Sequence, residues 1–227
     1  MFGIDLVIFD CDGVLIDSEH LACAVDAELL TGIGYPMTGE DVASRFAGVP
    51  SGAMYAEIEA DLGHPLPAGF ADRVKSRVMD LYHTELQAIA GVAEALAALD
   101  LPCCVASSSE PAKLALGLIE TGLYSRLYPA IYSAALVQRG KPQPDLFLYA
   151  ARQHQAEPRR CVVVEDSVAG VTAGVAAGMA VIGFTAGSHC PPDHADALRQ
   201  AGARQIMTDF SDLISMLDAA ASAPDRS

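Results

Sequence analysis

The chain is poor in basic residues: 14 Lys and Arg stand against 29 Asp and Glu, for a formal net charge of -15. Such a surface repels nucleic acid and anionic membranes, and no basic run offsets the total. An anionic substrate therefore needs a local cation, from Lys, Arg or a metal. The six cysteines form no CxxC pair, and Cys103, Cys104 and Cys161 lie inside apolar runs where a thiol packs as a small hydrophobe. Reduced cysteines and a cytoplasmic location are expected. The start MFGIDLVIFD has no basic residue and meets an acid at Asp5, unlike a signal peptide. No apolar stretch reaches membrane-spanning length without strand or turn punctuation. What remains is an ordered globular chain of 227 residues, 52% hydrophobic and 19% charged, sized for one large domain or one domain with an insertion.

The apolar run Ile4 to Phe9 reads as one strand of a sheet covered on both faces. From Ser18 to about Leu86 the texture turns helical. Leu21, Val25 and Leu29 recur at helical spacing, Thr38-Gly-Glu-Asp41 has the pattern of a capping box, and MYAEIEADLG and FADRVKSRVMDLYHTEL continue the rhythm without a strand. This all-helical block, residues 17–87, reads as an insertion into a core made of residues 1–16 and 88–227. After Gly91 helices alternate with the strands PCCVASSS, AIYSA, RCVVVEDS and AVIGFTA, whereas DALRQAGA and DLISMLDAA read as helices. Alternation of this kind predicts an α/β fold, a mostly parallel sheet with helices on both faces. The tail, residues 219–227, is expected to fray, and Gly170, Gly174 and Gly178 are expected to pack one helix closely on the sheet.

In such a fold ligands sit beyond the carboxyl ends of the strands. The first strand presents Asp10 and Asp12 there, the second Ser107, Ser108 and Ser109, and RCVVV presents Glu165 and Asp166. The loop QRGKPQPD adds Lys141 before a helix capped by Asp145. Each alone has an ordinary structural reading: a turn or cap for the acids and serines, a solvated loop position for the lysine. Together they fall at one topological edge. Acids converging there, with help from Asp17, repel one another unless a cation is present, and an all-oxygen donor set suits Mg²⁺.

The segments DCDGVLIDSE, ASSS, GKPQPD and VVVEDSVAG, in that order along nearly the whole chain, resemble the motifs of the haloacid-dehalogenase-like superfamily. The resemblance implies a Rossmann-like core with a helical cap, of the branch that holds β-phosphoglucomutase and small sugar-phosphate phosphatases; the texture is most similar to the 6-phosphogluconate phosphatase type. It implies that Asp10 is a nucleophile forming an aspartyl phosphate and that Asp12 is the general acid/base, lending its backbone carbonyl to Mg²⁺. Ser107, with Ser108 beside it, would bind the phosphoryl group and Lys141 would offset its charge. Asp166 would ligate Mg²⁺, with Glu165 as ligand or close supporter, and Gly13 would mark a sharp turn. Asp17 is read as a structural acid. Cys11, between two acids that face the other way, is not read as a nucleophile.

The acid at Asp12 favours phosphate-ester chemistry over dehalogenation. A mutase of this kind is expected to carry a cap Arg where Ser51 stands and a hinge His where Ala22 stands, so hydrolysis is the leading reading, with a β-phosphoglucomutase-like mutase as the alternative. A non-enzymatic phosphate- and Mg²⁺-binding module is the third. His20, Arg45 and Ser51 are candidate specificity residues, beside the loop Ala47 to Met54 of a cap expected to close over the core edge. The expected partner is a small phosphate ester, with neither nucleic acid nor membrane; monomer and homodimer are both open.

Overall fold

In the computed structural model, residues 3–46 and 49–222 are described, and the chain divides into two compact units, Met1–Asp17 with Gln87–Ser227, and Ser18–Leu86. The first unit holds a six-stranded sheet of β1 (Leu6–Phe9), β2 (Cys103–Ser107), β3 (Ile131–Ser133), β4 (Cys161–Glu165), β5 (Ala180–Phe184) and β6 (Gln205–Met207). The order is β3-β2-β1-β4-β5-β6, and every pairing is parallel. β1 and β4 are buried along their whole length, which is why both read as unbroken apolar runs. The chain builds outward from β1 to β3, then returns to the other side of β1 to start β4. That reversal is the switch point where a parallel sheet opens a crevice.

On one face Leu6, Ile8 and Val163 pack with Leu146, Phe147, Val171 and Leu198. Aromatic rings join Phe9 and Phe184 to Phe210, with centroids 6.5 and 5.0 Å apart. The three glycines do different jobs, which corrects the single packing role expected of them. A Cβ on Gly174 would lie 2.7 Å from Val181 Cγ2, so close helix–sheet packing holds there. A Cβ on Gly170 would lie 1.7 Å from Glu165 Oε1, and Gly178 ends its helix at φ +75 with open space around it.

Three further expectations are corrected. β6 falls after the helix His194–Ala201, where only helices were read; a three-residue edge strand offers too few side chains for periodicity to register. Asp145 does not cap its helix: it is the first helical residue, and its carboxylate accepts two N–H bonds from Arg139, at 2.9 Å each. The last helix runs Leu213–Ser222, so Ala219 to Ser222 are helical rather than frayed, as the high helix propensity of alanine favours. Residues 223–227 lie outside the described part.

The Ser18–Leu86 unit is all-helical: Glu19–Gly32, Gly39–Phe46, Ser51–Leu62 and Phe70–Tyr82. Leu21, Val25, Leu30, Phe46, Ile58, Val74, Val78 and Tyr82 supply its buried side chains. The capping box forms reciprocally, Asp41 N–H donating to Thr38 Oγ1 at 3.1 Å and Thr38 N–H to Asp41 Oδ2 at 2.8 Å. Among the described residues no helix is long and apolar enough to cross a membrane, and all six cysteines are free thiols.

Candidate active site

β1 ends at Phe9, and the Asp10 N–H continues the ladder to the Val164 carbonyl at 3.0 Å, so the Asp10 backbone is fixed by the sheet itself. The chain then winds tightly, with the Cys11 carbonyl accepting from Leu15 and Ile16 at 2.9 and 3.1 Å. Gly13 has φ +75, and a Cβ there would lie 2.1 Å from Asp166 Oδ2, so both backbone and space demand glycine. Asp17 N–H donates to the Gln87 carbonyl at 2.9 Å and Ile16 bridges Ala88, so the helical insertion leaves and rejoins the first unit at one point. The Asp17 carboxylate accepts from Ser188 Oγ at 2.8 Å.

Asp10, Glu165 and Asp166 are all buried at the strand edge. Lys141 Nζ reaches Asp10 Oδ1 at 2.5 Å, Glu165 Oε1 at 2.7 Å and the Ala106 carbonyl at 2.9 Å, so its three N–H bonds are all engaged. Burial works against the Lys141 charge, but Asp10 and Glu165 hold its ammonium above the ordinary lysine range. For Asp10, burial pushes the carboxyl well above the usual range; Lys141 opposes this, and Glu165 and Asp166 add to it. One lysine therefore does not neutralise the three acids. The Lys141–Pro142 bond is cis.

Glu165 is engaged at both oxygens: Lys141 takes Oε1, while Ser167 donates N–H and Oγ–H to Oε2 at 2.7 and 2.9 Å. Ser167 Oγ in turn caps the next helix by accepting from Gly170 N–H at 2.9 Å, the role that sequence reading had allowed the acids. Asp12 Oδ2 accepts from Ser109 Oγ at 2.6 Å, and Asp12 Oδ1 pairs with Lys113 Nζ at 3.0 Å. Ser107 is buried and its Oγ accepts from Ser109 N–H at 3.0 Å, whereas Ser108 is exposed. Cys11 is fully buried, and burial followed by its two acidic neighbours raises the thiol well above its ordinary range, which leaves it inert.

Sequence reading missed three side chains here, Lys113, His189 and His194, and placed Ser109 at its strand end without a role. Lys113 and Ser109 flank Asp12; His189 and His194 flank Asp166. His189 Nε2 lies 2.9 Å from Asp166 Oδ2, and His194 Nε2 hydrogen-bonds the Asp166 carbonyl. Burial works against a charged His189, whereas its contacts with Asp166 and Cys190 carry its affinity for a proton upward. The signal was available: AVIGFTAGSHC also ends a strand at this edge, and only the ends of the other strands had been searched.

The candidate specificity residues lie in the helical unit and are described within it. His20 is exposed on the helix Glu19–Gly32, and Ser51 is the exposed first residue of its helix. Arg45 is held by Glu57 Oε1 at 2.6 Å, Asp61 Oδ2 at 2.7 Å and the Tyr35 hydroxyl at 2.6 Å, so it is a paired arginine and not a solitary one. Of the loop Ala47 to Met54, Ala47 and Gly48 lie outside the described residues.

Fold and strand edge thus define a parallel α/β core with buried acids at its switch point and an all-helical insertion after the first strand. The model of the haloacid dehalogenase-like hydrolases matches residues 7–184, and the chain belongs to that family. It is 32% identical over 193 residues to 6-phosphogluconate phosphatase of Escherichia coli K12, a match covering 85% of this chain and 87% of that one. A solved haloacid dehalogenase-like protein from Agrobacterium tumefaciens C58 is 42% identical with a TM-score of 0.91, over 97% of this chain and 100% of the other. A hydrolase of the family from Deinococcus radiodurans R1, solved with bound phosphate and sodium, is 36% identical with a TM-score of 0.83, over 97% of each chain.

Proposed function

We propose that this protein is a Mg²⁺-dependent phosphatase of small sugar or sugar-acid phosphates, working through an aspartyl phosphate on Asp10. The observation that carries the reading is the division of labour between the two acids. Asp10 is buried against Lys141, whereas Asp12 reaches toward the helix side and pairs with Ser109 and Lys113. A carboxylate beside a fixed ammonium suits attack on phosphorus, and a second carboxyl held by polar partners suits proton transfer.

Asp10 forms a bond to phosphorus as the ester P–O bond breaks, and Asp12 gives its proton to the departing alkoxide. Water then attacks the aspartyl phosphate, Asp12 takes the proton of that water, and the Asp10 carboxylate is restored as phosphate leaves. Lys141 acts here as a fixed charge that holds the nucleophile in place, since its three N–H bonds are already engaged. Ser107 and Ser108 stand at the β2 end, where a phosphoryl group would meet them.

The donor set fits Mg²⁺. Three buried acids stand at one strand edge with one lysine, which contacts two of them, Asp10 and Glu165. Mg²⁺ takes few carboxylates and keeps several waters, and among the described residues no three His, Cys, Asp or Glu side chains form a cluster that could hold an ion by themselves. Asp10, the Asp12 carbonyl and Asp166 would hold it, with Glu165 as their supporter. Bound there, the ion supplies positive charge against the phosphate and lowers the repulsion to anionic attack.

The substrate class rests on the likeness to 6-phosphogluconate phosphatase and on the deficit of basic residues, which disfavours large polyanions. The absence of a basic side chain at Ser51 disfavours the mutase reading. Free thiols throughout suit a reducing, cytoplasmic setting. The test is phosphate release from a panel that includes 6-phosphogluconate, hexose phosphates and phosphoglycolate, with Mg²⁺ and then with chelator. Turnover that survives Asp10→Asn would overturn the assignment, and so would silence of the unaltered protein across the whole panel.

A further inference from the structure

We infer that His189 is a positioning residue for Asp166, and that it sets how tightly the strand edge holds its divalent cation. This rests on the Mg²⁺ reading above and assigns a residue to it. The loop after β5 is fastened at three points to the two segments that carry the acids. Ser188 donates to Asp17 Oδ1 at 2.8 Å, His189 Nε2 sits 2.9 Å from Asp166 Oδ2, and His194 Nε2 bonds the Asp166 carbonyl. One histidine thus orients the carboxylate while another fixes the backbone beneath it.

The imidazole packs against two glycine backbones. A Cβ on Gly13 would lie 2.7 Å from His189 Cε1, and a Cβ on Gly187 would lie 2.7 Å from the same atom and 2.8 Å from Nδ1. Two glycines, 174 residues apart in sequence by subtraction of their numbers, enclose one ring. Nδ1 is buried and makes no hydrogen bond, so the ring meets the strand edge through Nε2, which faces Asp166 Oδ2. A carboxylate ligand is held in place by a hydrogen bond from a partner outside the metal's own ligand shell, and losing such a partner typically weakens metal binding about 10- to 100-fold.

The experiment is calorimetric titration of Mg²⁺ into the full chain without substrate, repeated by electron paramagnetic resonance with Mn²⁺. It compares the unaltered protein with His189→Ala, with His189→Phe, which keeps bulk but removes the donor, and with His189→Gln, which keeps a donor. Thermal unfolding without metal shows that each variant is folded. The expected result is about 10- to 100-fold weaker binding in the Ala and Phe variants and substantial recovery in the Gln variant. Equal affinity in all the proteins would overturn the inference. Tighter binding in the Ala or Phe variant would also overturn it, since the imidazole would then be competing with the ion. If the unaltered protein binds no divalent cation, the Mg²⁺ reading fails and this inference with it, an outcome distinct from equal, measurable affinities.

Discussion

Lys141 Nζ sits 2.5 Å from Asp10 Oδ1, with Glu165 Oε1 at 2.7 Å completing a buried trio of charges. Removing the lysine strands two carboxylates in the interior. Lys141→Met is therefore expected to cost about 3–5 kcal/mol of stability, the usual penalty for breaking a buried pair. Phosphate release should disappear with it. Urea unfolding and a phosphate assay check both; a variant with normal stability would mean that the trio is solvated.

Asp12 is expected to depend on Lys113. A hydrogen bond to a charged group is worth about 1.5–3 kcal/mol, so Lys113→Met should lower turnover roughly 10- to 100-fold if that pair holds the proton-transfer group in position. Ser109→Ala should act on the same group, and the double variant should lose less than the product of the two. Strict multiplicativity of the rate losses would show that the two contacts are independent.

Gly170→Ala reverses an ordinary expectation. Alanine in place of a helical glycine usually stabilises by about 1 kcal/mol. Here the added methyl would fall 1.7 Å from Glu165 Oε1, the oxygen that Lys141 holds. The substitution is expected to destabilise the protein and reduce activity, and a raised melting temperature would contradict the close approach.

Asp26 makes the helical unit sensitive to pH. Burial lifts its carboxyl to about 6, opposed by the hydrogen bond from the Tyr55 hydroxyl and assisted by Glu19. The folded-state value lies above the unfolded one of about 3.9, so the stabilising contribution is full below the unfolded value and is lost as pH rises through the folded one. Asp26→Asn keeps the shape without the charge and should stabilise the unit at pH 8 by about 1–3 kcal/mol while adding little at pH 4. Hydrogen exchange across Glu19–Gly32 and Ser51–Leu62 reads this locally. Equal effects at both pH values would exclude a buried, ionising Asp26.

Much of this was legible in the sequence, and for local reasons. Burial on both faces makes β1 and β4 continuous apolar runs, so their ends, and the acids Asp10, Asp12, Glu165 and Asp166 placed there, can be read without coordinates. The capping box at Thr38 follows from a few adjacent residues in the same way. β6 escaped because three residues at a sheet edge leave no periodic trace.

What the sequence determined by itself was which chemical groups stand at the strand ends. What only the tertiary structure decided was who meets whom. Lys141 finds Asp10 across 131 residues, Ser109 finds Asp12 across 97, and His194 finds the Asp166 carbonyl across 28. Such pairs depend on how parallel strands and their crossovers bring distant segments to one edge, and no local pattern of propensity or periodicity records that distance. Arg45 illustrates the same limit within the helical unit: its number and type could suggest a substrate contact, but its partners Glu57, Asp61 and Tyr35 emerge only when the helices pack.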